Sequence, residues 1–332
     1  MQQINGFAPG VPDSDDGAGL GYADVSIVLC TRDRAPMLTA ALAALKARTP
    51  PSVEIIVVDS GSATIDTMTV AAAAGVRCIR SGMPGLSIAR NAGLQSSARA
   101  VVVYTDDDCE VMADWLPPLL AALRDNQIGA AAGLLVDEHD DPPPPGARAV
   151  VEHRSTVSGL DVGHGALMAF RRSVLLEIGG FDPVLGAGRT FGGAEDLDAF
   201  CRVIEEGHVV VSVPDAVVRH VNTRHDADYT KLQRAYGLGL GAMCAKWIRT
   251  EPAAGAKLTL VVARRATVRF LRGLRSARRR PAERALIAGF AHGLRTAWRI
   301  PIVNGRFVDV TPPAVIEASD EPEKPVEEER VA

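Results

Sequence analysis

Between residues 25 and 104 the chain alternates short, nearly continuous β-branched runs with segments rich in alanine and leucine. The runs at 25–30, 54–58, 76–79 and 101–104 lack polar alternation, which is the pattern of strands buried on both faces. The segments between them, 37–46, 66–74 and 87–95, are each long enough for a helix that crosses from one parallel strand to the next. Strand and helix in alternation predict an α/β fold with an open, mostly parallel, right-handedly connected sheet flanked by helices.

After residue 135 the rhythm changes. Acidic residues at 137–141 and four consecutive prolines at 142–145 mark a loop, and 162–170 is the next strand candidate. A glycine-rich loop over 179–193 leads to a helix at 195–205, a strand at 208–213 and long helical stretches from about 228 to 298. Asp13, Asp15 and Asp16 lie among glycines in a leader read as flexible. Residues 316–332 hold seven acidic and two basic side chains with two prolines, the composition of a solvated tail.

A net charge of −4 gives the chain no general electrostatic reason to bind nucleic acid. The five cysteines are widely spaced with no C-x-x-C pair, so neither a disulfide framework nor a zinc knuckle is expected, and a reducing cytoplasm fits. No run of about 18 apolar residues occurs, and the first 21 residues contain no apolar signal-peptide core.

In an open parallel sheet, ligands bind beyond the carboxyl ends of the strands. Three of the expected strands end in polar residues: Thr31-Arg32-Asp33, Asp59-Ser60-Gly61-Ser62 and Asp106-Asp107-Asp108. Three consecutive aspartates beside an apolar strand repel one another and need a cation or free exposure to water. A divalent Mn2+ or Mg2+ answers that need, with Asp106 and Asp108 on one side of an extended turn; an acidic surface turn is the alternative. Asp59 either accepts from a base N–H or ribose hydroxyl, or caps the following helix as an Asx turn. Arg90 either holds the acid cluster or a phosphate, or is a surface residue of an amphipathic helix. Glu195 and Asp196 open a helix, where the dipole keeps them ionised and fit to act as bases; acids are also common there merely as helix-start residues. His220 is either a neutral imidazole ligand or a structural histidine.

VSIVLCTRDR from Val25, EIIVVDSGS from Glu54, GLSIARNAGL from Gly85, VVVYTDDDCEV from Val101, and GALMAFRRSVLLEIGGFDPVLGAG followed by GGAEDLDAFCRVIEEG stand in register. Together these segments resemble the family-2 glycosyltransferases of the GT-A fold, over roughly residues 25–220. The resemblance implies transfer of a sugar, with inversion, from a nucleotide-sugar donor using Mn2+ or Mg2+. It implies a nucleotide pocket lined by Thr31, Arg32, Asp59, Arg90, Asp106 and Asp107, with a metal held by Asp106, Asp108 and His220. Asp196 matches the general base, with Glu195 the alternative bearer. A UDP-sugar is favoured by family prevalence, with GDP- and dTDP-sugars open. The acceptor expected is a carbohydrate or lipid-linked glycan of cell-envelope type. The implied organisation is a leader at 1–22, a transferase domain at 23–225 (nucleotide half 23–135, acceptor half 136–225), a basic helical extension at 226–306 and an acidic disordered tail at 307–332. A sugar nucleotidyltransferase would carry a Gly-rich, Lys-bearing loop after the first strand, which this chain lacks; a catalytically silent nucleotide- or glycan-binding module remains the other alternative.

Residues 246–306 carry fifteen Lys/Arg against Glu251 and Glu283. At about 100° per residue, Arg264, Arg265, Arg269, Arg272 and Arg275 share one arc while Leu260, Ala263, Phe270, Leu271 and Leu274 share the other. With Arg278-Arg279-Arg280 and Trp298, this pattern suits peripheral attachment to an anionic membrane at its cytoplasmic face; a helix covering the catalytic domain with solvated arginines is the alternative.

Overall fold

A computed structural model describes residues 19–221, 226–274, 276 and 279–319. The leader up to residue 18 and the tail from 320 lie outside the described residues. The first half forms β1 (Val25–Thr31), α1 (Ala35–Arg48), β2 (Glu54–Asp59), α2 (Asp66–Ala73), β3 (Arg77–Arg80), α3 (Leu86–Ser96) and β4 (Val101–Asp106). There follow β5 (Cys109–Val111), α4 (Leu116–Leu123), β6 (Ile128–Val136), β7 (Val151–His153), β8 (Leu167–Arg171), α5 (Arg172–Glu177), α6 (Glu195–Glu205) and β9 (Val209–His220). Three long helices, α7 (Asp226–Thr250), α8 (Pro252–Gly273) and α9 (Arg279–Ala297), and a small hairpin, β10 (Ile302–Val303) and β11 (Arg306–Phe307), complete the described chain.

The main sheet runs β3-β2-β1-β4-β8-β6-β9-β5, with β7 on β9. Its first four strands are parallel, and beyond β4 the pairing is mixed. Every residue of β1 is buried, because successive side chains enter cores on opposite faces of the sheet. Val25, Ile27 and Leu29 pack with α1 and α4, whereas Val28 and Cys30 pack with α3 and α6. The near-continuous apolar runs in the sequence are the signature of that two-sided burial.

Three expectations shift. The strand expected at 162–170 begins only at Leu167, since 156–161 form a 3-10 turn and Gly163 has a φ of 153°. The strand expected at 208–213 continues to His220. Its ladder with β6 jumps from Ala132↔Ser212 to Leu134↔Val217, so the interruption carries Pro214, which has no N–H to donate. The helical stretch after 228 breaks at Glu251, where Pro252 starts α8.

The helices after residue 225 do not stand apart from the sheet. Ala242, Met243, Ala245, Trp247, Leu258 and Ala297 share a core with Leu185, Phe191, Ala194 and Cys201. α7 and α9 approach closely through glycines: a methyl at Gly237 would lie 2.1 Å from Leu286 O, and one at Gly293 2.1 Å from Leu238 O. Residues 307–319, expected in a solvated tail, instead pack on the body. Phe307 is buried, Asp309 pairs with Arg189, Ile316 N donates to Gly82 O (2.8 Å) and Ser319 N to Ala63 O (2.8 Å). Backbone hydrogen bonding, to which composition is blind, holds this strap.

Candidate active site

The parallel register sets Thr31 beside Asp59 and Cys30 beside Asp106, so the polar ends of β1, β2 and β4 meet at one edge of the sheet. The three aspartates after β4 then diverge. Asp107 is buried and turns toward β1, accepting from Thr31 Oγ1 (2.6 Å) and Arg34 Nη1 (2.9 Å). Asp106 and Asp108 draw together, their carboxylate oxygens and the Cys109 sulfur within 4.8 Å of one another. Antiparallel pairing of β5 with β9 sets His220 opposite Cys109, with Nε2 3.7 Å from Asp108 Oδ2.

This donor set fits Mn2+ or Mg2+. The two carboxylates suit such a hard ion, with the His220 imidazole beside Asp108, whereas a soft thiol does not, and burial, with the charge of Asp106 next, pushes the Cys109 thiol up. Burial also raises Asp106 to about 6; Arg90 opposes the shift, and Asp108 and Asp107 add to it. Carboxyls held in this way are relieved by a cation.

Arg90, 2% exposed, joins the acid cluster to α6. It donates to Glu195 Oε1 (3.0 Å), Asp106 Oδ1 (3.3 Å) and Gly165 O (3.1 Å). Burial works against its charge, but Asp106 and Glu195 outweigh burial and hold its pKa above the ordinary arginine value. Glu195 is buried against Arg90, and burial followed by the neighbouring charge of Asp196 raises it to about 7. Asp196 is half-buried. A methyl placed on Gly165 would lie 3.1 Å from Asp196 Oδ2 and 3.2 Å from Arg90 Nη2, so glycine lets both side chains approach the backbone closely.

Asp59 is different. It is fully buried, with Oδ1 accepting from Ser62 N (2.8 Å) and Oδ2 paired with Arg80. These bonds shape the 59–62 turn, in the Asx-turn manner that is the alternative role of this carboxylate. Arg80 Nη2 also donates to Ser62 O (2.8 Å) and Ile316 O (2.6 Å), bringing the strap to this edge. Arg32 is exposed at the rim, 3.4 Å from Asp33.

Several residues that organise the site were not singled out by sequence reasoning. Arg34 bridges Asp107 and Asp108, and its signal was only its place three residues after Thr31. One turn beyond Glu195, Asp198 accepts from Lys246 Nζ (2.7 Å), Arg202 Nε (2.8 Å) and Trp247 Nε1 (3.0 Å). Lys246 also donates to Asp182 (2.7 Å) and is fully buried. A lysine inside the apolar run 242–248 was the available clue, because such a charge must find partners.

Residues 26–179 match the family model described as Glycosyl transferase family 2. The matched stretch, a little under half of the chain, takes in Thr31, Asp59, Arg90, Asp106 and Asp108 and is similar to glycosyl transferase family 2. Two curated relatives, pre-mycofactocin glycosyltransferases from two strains of Mycobacterium tuberculosis, are each 26% identical to the chain over 238 residues. That alignment covers 66% of this chain and 47% of each relative, so the chain spans about half the length of the curated relatives it matches. Among solved structures, the mannosyltransferase PcManGT from Pyrobaculum calidifontis, in complex with GDP-Man and Mn2+, superposes with a TM-score of 0.57. It is 20% identical, and the match covers 82% of this chain and 87% of that one. GalNAc-T7 with UDP, GalNAc and Mn2+ gives a TM-score of 0.50 at 20% identity, covering 73% of this chain and 52% of that one. These structural likenesses show that the chain has the GT-A fold.

Proposed function

We propose that the protein transfers a sugar, with inversion at the anomeric carbon, from a nucleoside diphosphate sugar to an acceptor hydroxyl. The observation that carries this reading is that Arg90 links the close Asp106–Asp108 pair to the start of α6, with Asp196 and Arg90 both against Gly165. Residues 23–135 supply the nucleotide half and 136–225 the acceptor half.

Asp106 and Asp108, with His220, would hold Mn2+ or Mg2+, whose chemistry is to stabilise negative charge on the departing diphosphate. Thr31, Arg32 and Asp107 border the nucleotide pocket, with Asp107 acting through Thr31 and Arg34. Arg90 fixes Asp106 relative to α6 and lends positive charge beside the leaving group. Asp196 takes the proton from the acceptor hydroxyl as its oxygen attacks the anomeric carbon. Glu195, buried and bound to Arg90, orients that arginine instead. One displacement with one base inverts configuration.

The donor is a UDP-sugar by preference, with GDP- and dTDP-sugars the alternatives; GDP-Man and UDP accompany the two structural neighbours. The acceptor is a carbohydrate or lipid-linked glycan hydroxyl reaching Asp196 past residues 163–165. The test is a thermal-shift screen of nucleotide-sugars with Mn2+, because a ligand that binds the native state raises its melting temperature, followed by turnover with the stabilising donor. Donor-dependent stabilisation with nucleoside diphosphate release supports the reading. Binding without release under any acceptor would favour a silent nucleotide-binding module, and pyrophosphate release from a nucleoside triphosphate and a sugar phosphate would make the protein a nucleotidyltransferase.

A further inference from the structure

We propose that the free end of the three-helix unit, where α8 runs toward α9, docks on an anionic phospholipid bilayer. α8 packs on the body through Gly255, Leu258, Val262, Ala266 and Gly273. The core-facing stripe is therefore neither of the two arcs read from the sequence. Leu260, Arg264, Thr267, Leu271 and Leu274 follow one another at spacings of four, three, four and three, and so form one line along the helix. This line faces outward: Leu260, Leu271 and Leu274 are 70%, 58% and 39% exposed. A row of exposed leucines on a helix already anchored by its other side marks an interaction surface.

The charges nearby identify the partner. Arg265 pairs with Asp161 (2.8 Å), and Arg269 with Glu283 (3.0 Å) and Gln233 (3.0 Å), so these two serve the fold. Arg264, Arg272 and Arg279 are exposed and make no ion pair among the described residues. At the last turn of α8, Tyr229, Arg269, Arg272, Gly273, Arg279 and Glu283 line a crevice of about 290 Å³. Glu283 balances Arg269, which leaves Arg272 and Arg279 uncompensated beside the Tyr229 ring. Two guanidinium forks suit the phosphate of a lipid headgroup, and the exposed Leu271 and Leu274, on either side of Arg272 and Gly273 in the chain, offer apolar surface to the first acyl methylenes. A free phosphate would need the crevice but not the leucines, and an apolar protein partner the leucines but not the unpaired arginines. A bilayer uses both. Trp298, 48% exposed, sits at the other end of α9 near Arg249, which donates to Ala297 O, and takes no part. Attachment is peripheral, since no described helix is long and apolar enough to cross a membrane.

The test is cosedimentation of the full chain with phosphatidylcholine vesicles and with vesicles also containing phosphatidylglycerol, at low and high salt. Neither arm depends on transferase activity. The chain should bind only the phosphatidylglycerol vesicles, and less at high salt. Arg272→Gln with Arg279→Gln should lower partitioning about thirtyfold, at roughly fivefold per charge removed. Leu271→Ser with Leu274→Ser should lower it again, chiefly at high salt where the charges are screened. Lys257→Gln with Arg264→Gln, remote from the crevice, gives a smaller loss and serves if the first pair lowers the melting temperature. Absence of binding by the intact chain at low salt overturns the proposal, as does binding indifferent to both the arginine and leucine pairs. Loss of vesicle binding to millimolar inorganic phosphate, with no leucine dependence, would mark a free-phosphate site. Self-association abolished by the leucine substitutions, without vesicle binding, would make the face a contact between copies.

Discussion

α6 carries two clusters of ionisable side chains one turn apart, and they have opposite fates. At its first turn, Glu195 meets Arg90 and, through it, Asp106, while Asp196 beside it stays half-buried and the Asp106 side chain keeps 32% of its surface exposed. At the next turn, Asp198 meets Arg202, Lys246 and, through Lys246, Asp182, with Asp198, Asp182 and Lys246 all at 0% exposure. The residue types are the same. In the sealed cluster the acceptor oxygens are met by guanidinium, ammonium, indole or backbone donors, and Phe307 N and Val184 N complete Asp182. In the open cluster Asp106 and Asp108 crowd together with a part of their charge uncompensated. Charges that are fully partnered hold a structure in one arrangement, whereas charges left short of partners at a water-accessible edge are available to a ligand.

Substitutions at the two clusters should therefore cross over in their effects. The largest is expected at the open one: Asp196→Asn should lower kcat by about 10²–10⁴-fold. Nucleoside diphosphate affinity should stay within a few-fold, since the base acts on the acceptor; calorimetry and turnover together check this. Asp108→Asn and chelation of divalent ions should likewise abolish donor turnover, and full activity in excess EDTA would refute the metal assignment. If Asp196→Asn transfers normally while Glu195→Gln does not, the base is Glu195.

The sealed cluster should respond in stability instead. Lys246→Met leaves Asp182 and Asp198 buried beside a neutral side chain and should cost about 3–5 kcal/mol, read by denaturant unfolding. Activity per folded molecule should persist. A variant that unfolds no more easily but has lost turnover would erase the contrast between the clusters.

Gly165→Ala sharpens the comparison from between the two. Its methyl would stand 3.1 Å from Asp196 Oδ2 and 3.2 Å from Arg90 Nη2, displacing the reacting groups by a fraction of an ångström. We expect a fall in kcat of about tenfold, within the range for small misplacements, with little change in melting temperature. The smallest effect is expected at the strap. Ending the chain after Val310 removes the contacts of Ile316 and Ser319 with Gly82, Ala63 and Ile65. At about 1 kcal/mol net per hydrogen bond, this should loosen the 60–65 turn, seen as faster amide exchange at Ile65, while the sheet stays protected.

The first four strands and their crossover helices could be read from the sequence because each is specified locally. A strand buried on both faces needs an unbroken apolar run, and the polar residues that close each run necessarily reach the same sheet edge. Thus Thr31, Asp106 and Asp108 were legible as site candidates before any coordinates. Asp59 was legible as a strand-end acid, but its pairing with Arg80 depends on the parallel register of β2 with β3, which no local pattern records.

What the sequence by itself determined is the α/β alternation, the acid-rich strand ends and the helix start at Glu195-Asp196. All of these follow from periodicity and from which residues tolerate burial. Only the tertiary structure decided which acids are spent and which are free. Asp107 and Asp108 are adjacent and share Arg34, yet one is taken up by Thr31 and the other stands by Asp106 and His220. Asp196 and Asp198 are two apart on one helix, yet one lies half-buried beside Gly165 and the other meets Lys246 from a helix almost fifty residues later. The same holds for α8, whose apolar arc in sequence faces solvent because close packing against the body selected Leu258, Val262 and Ala266 instead. Burial and ion pairing are properties of neighbours in space, and partners 48 to 105 residues apart in the chain, as in Asp198–Lys246 and Arg90–Glu195, leave no mark on local pattern.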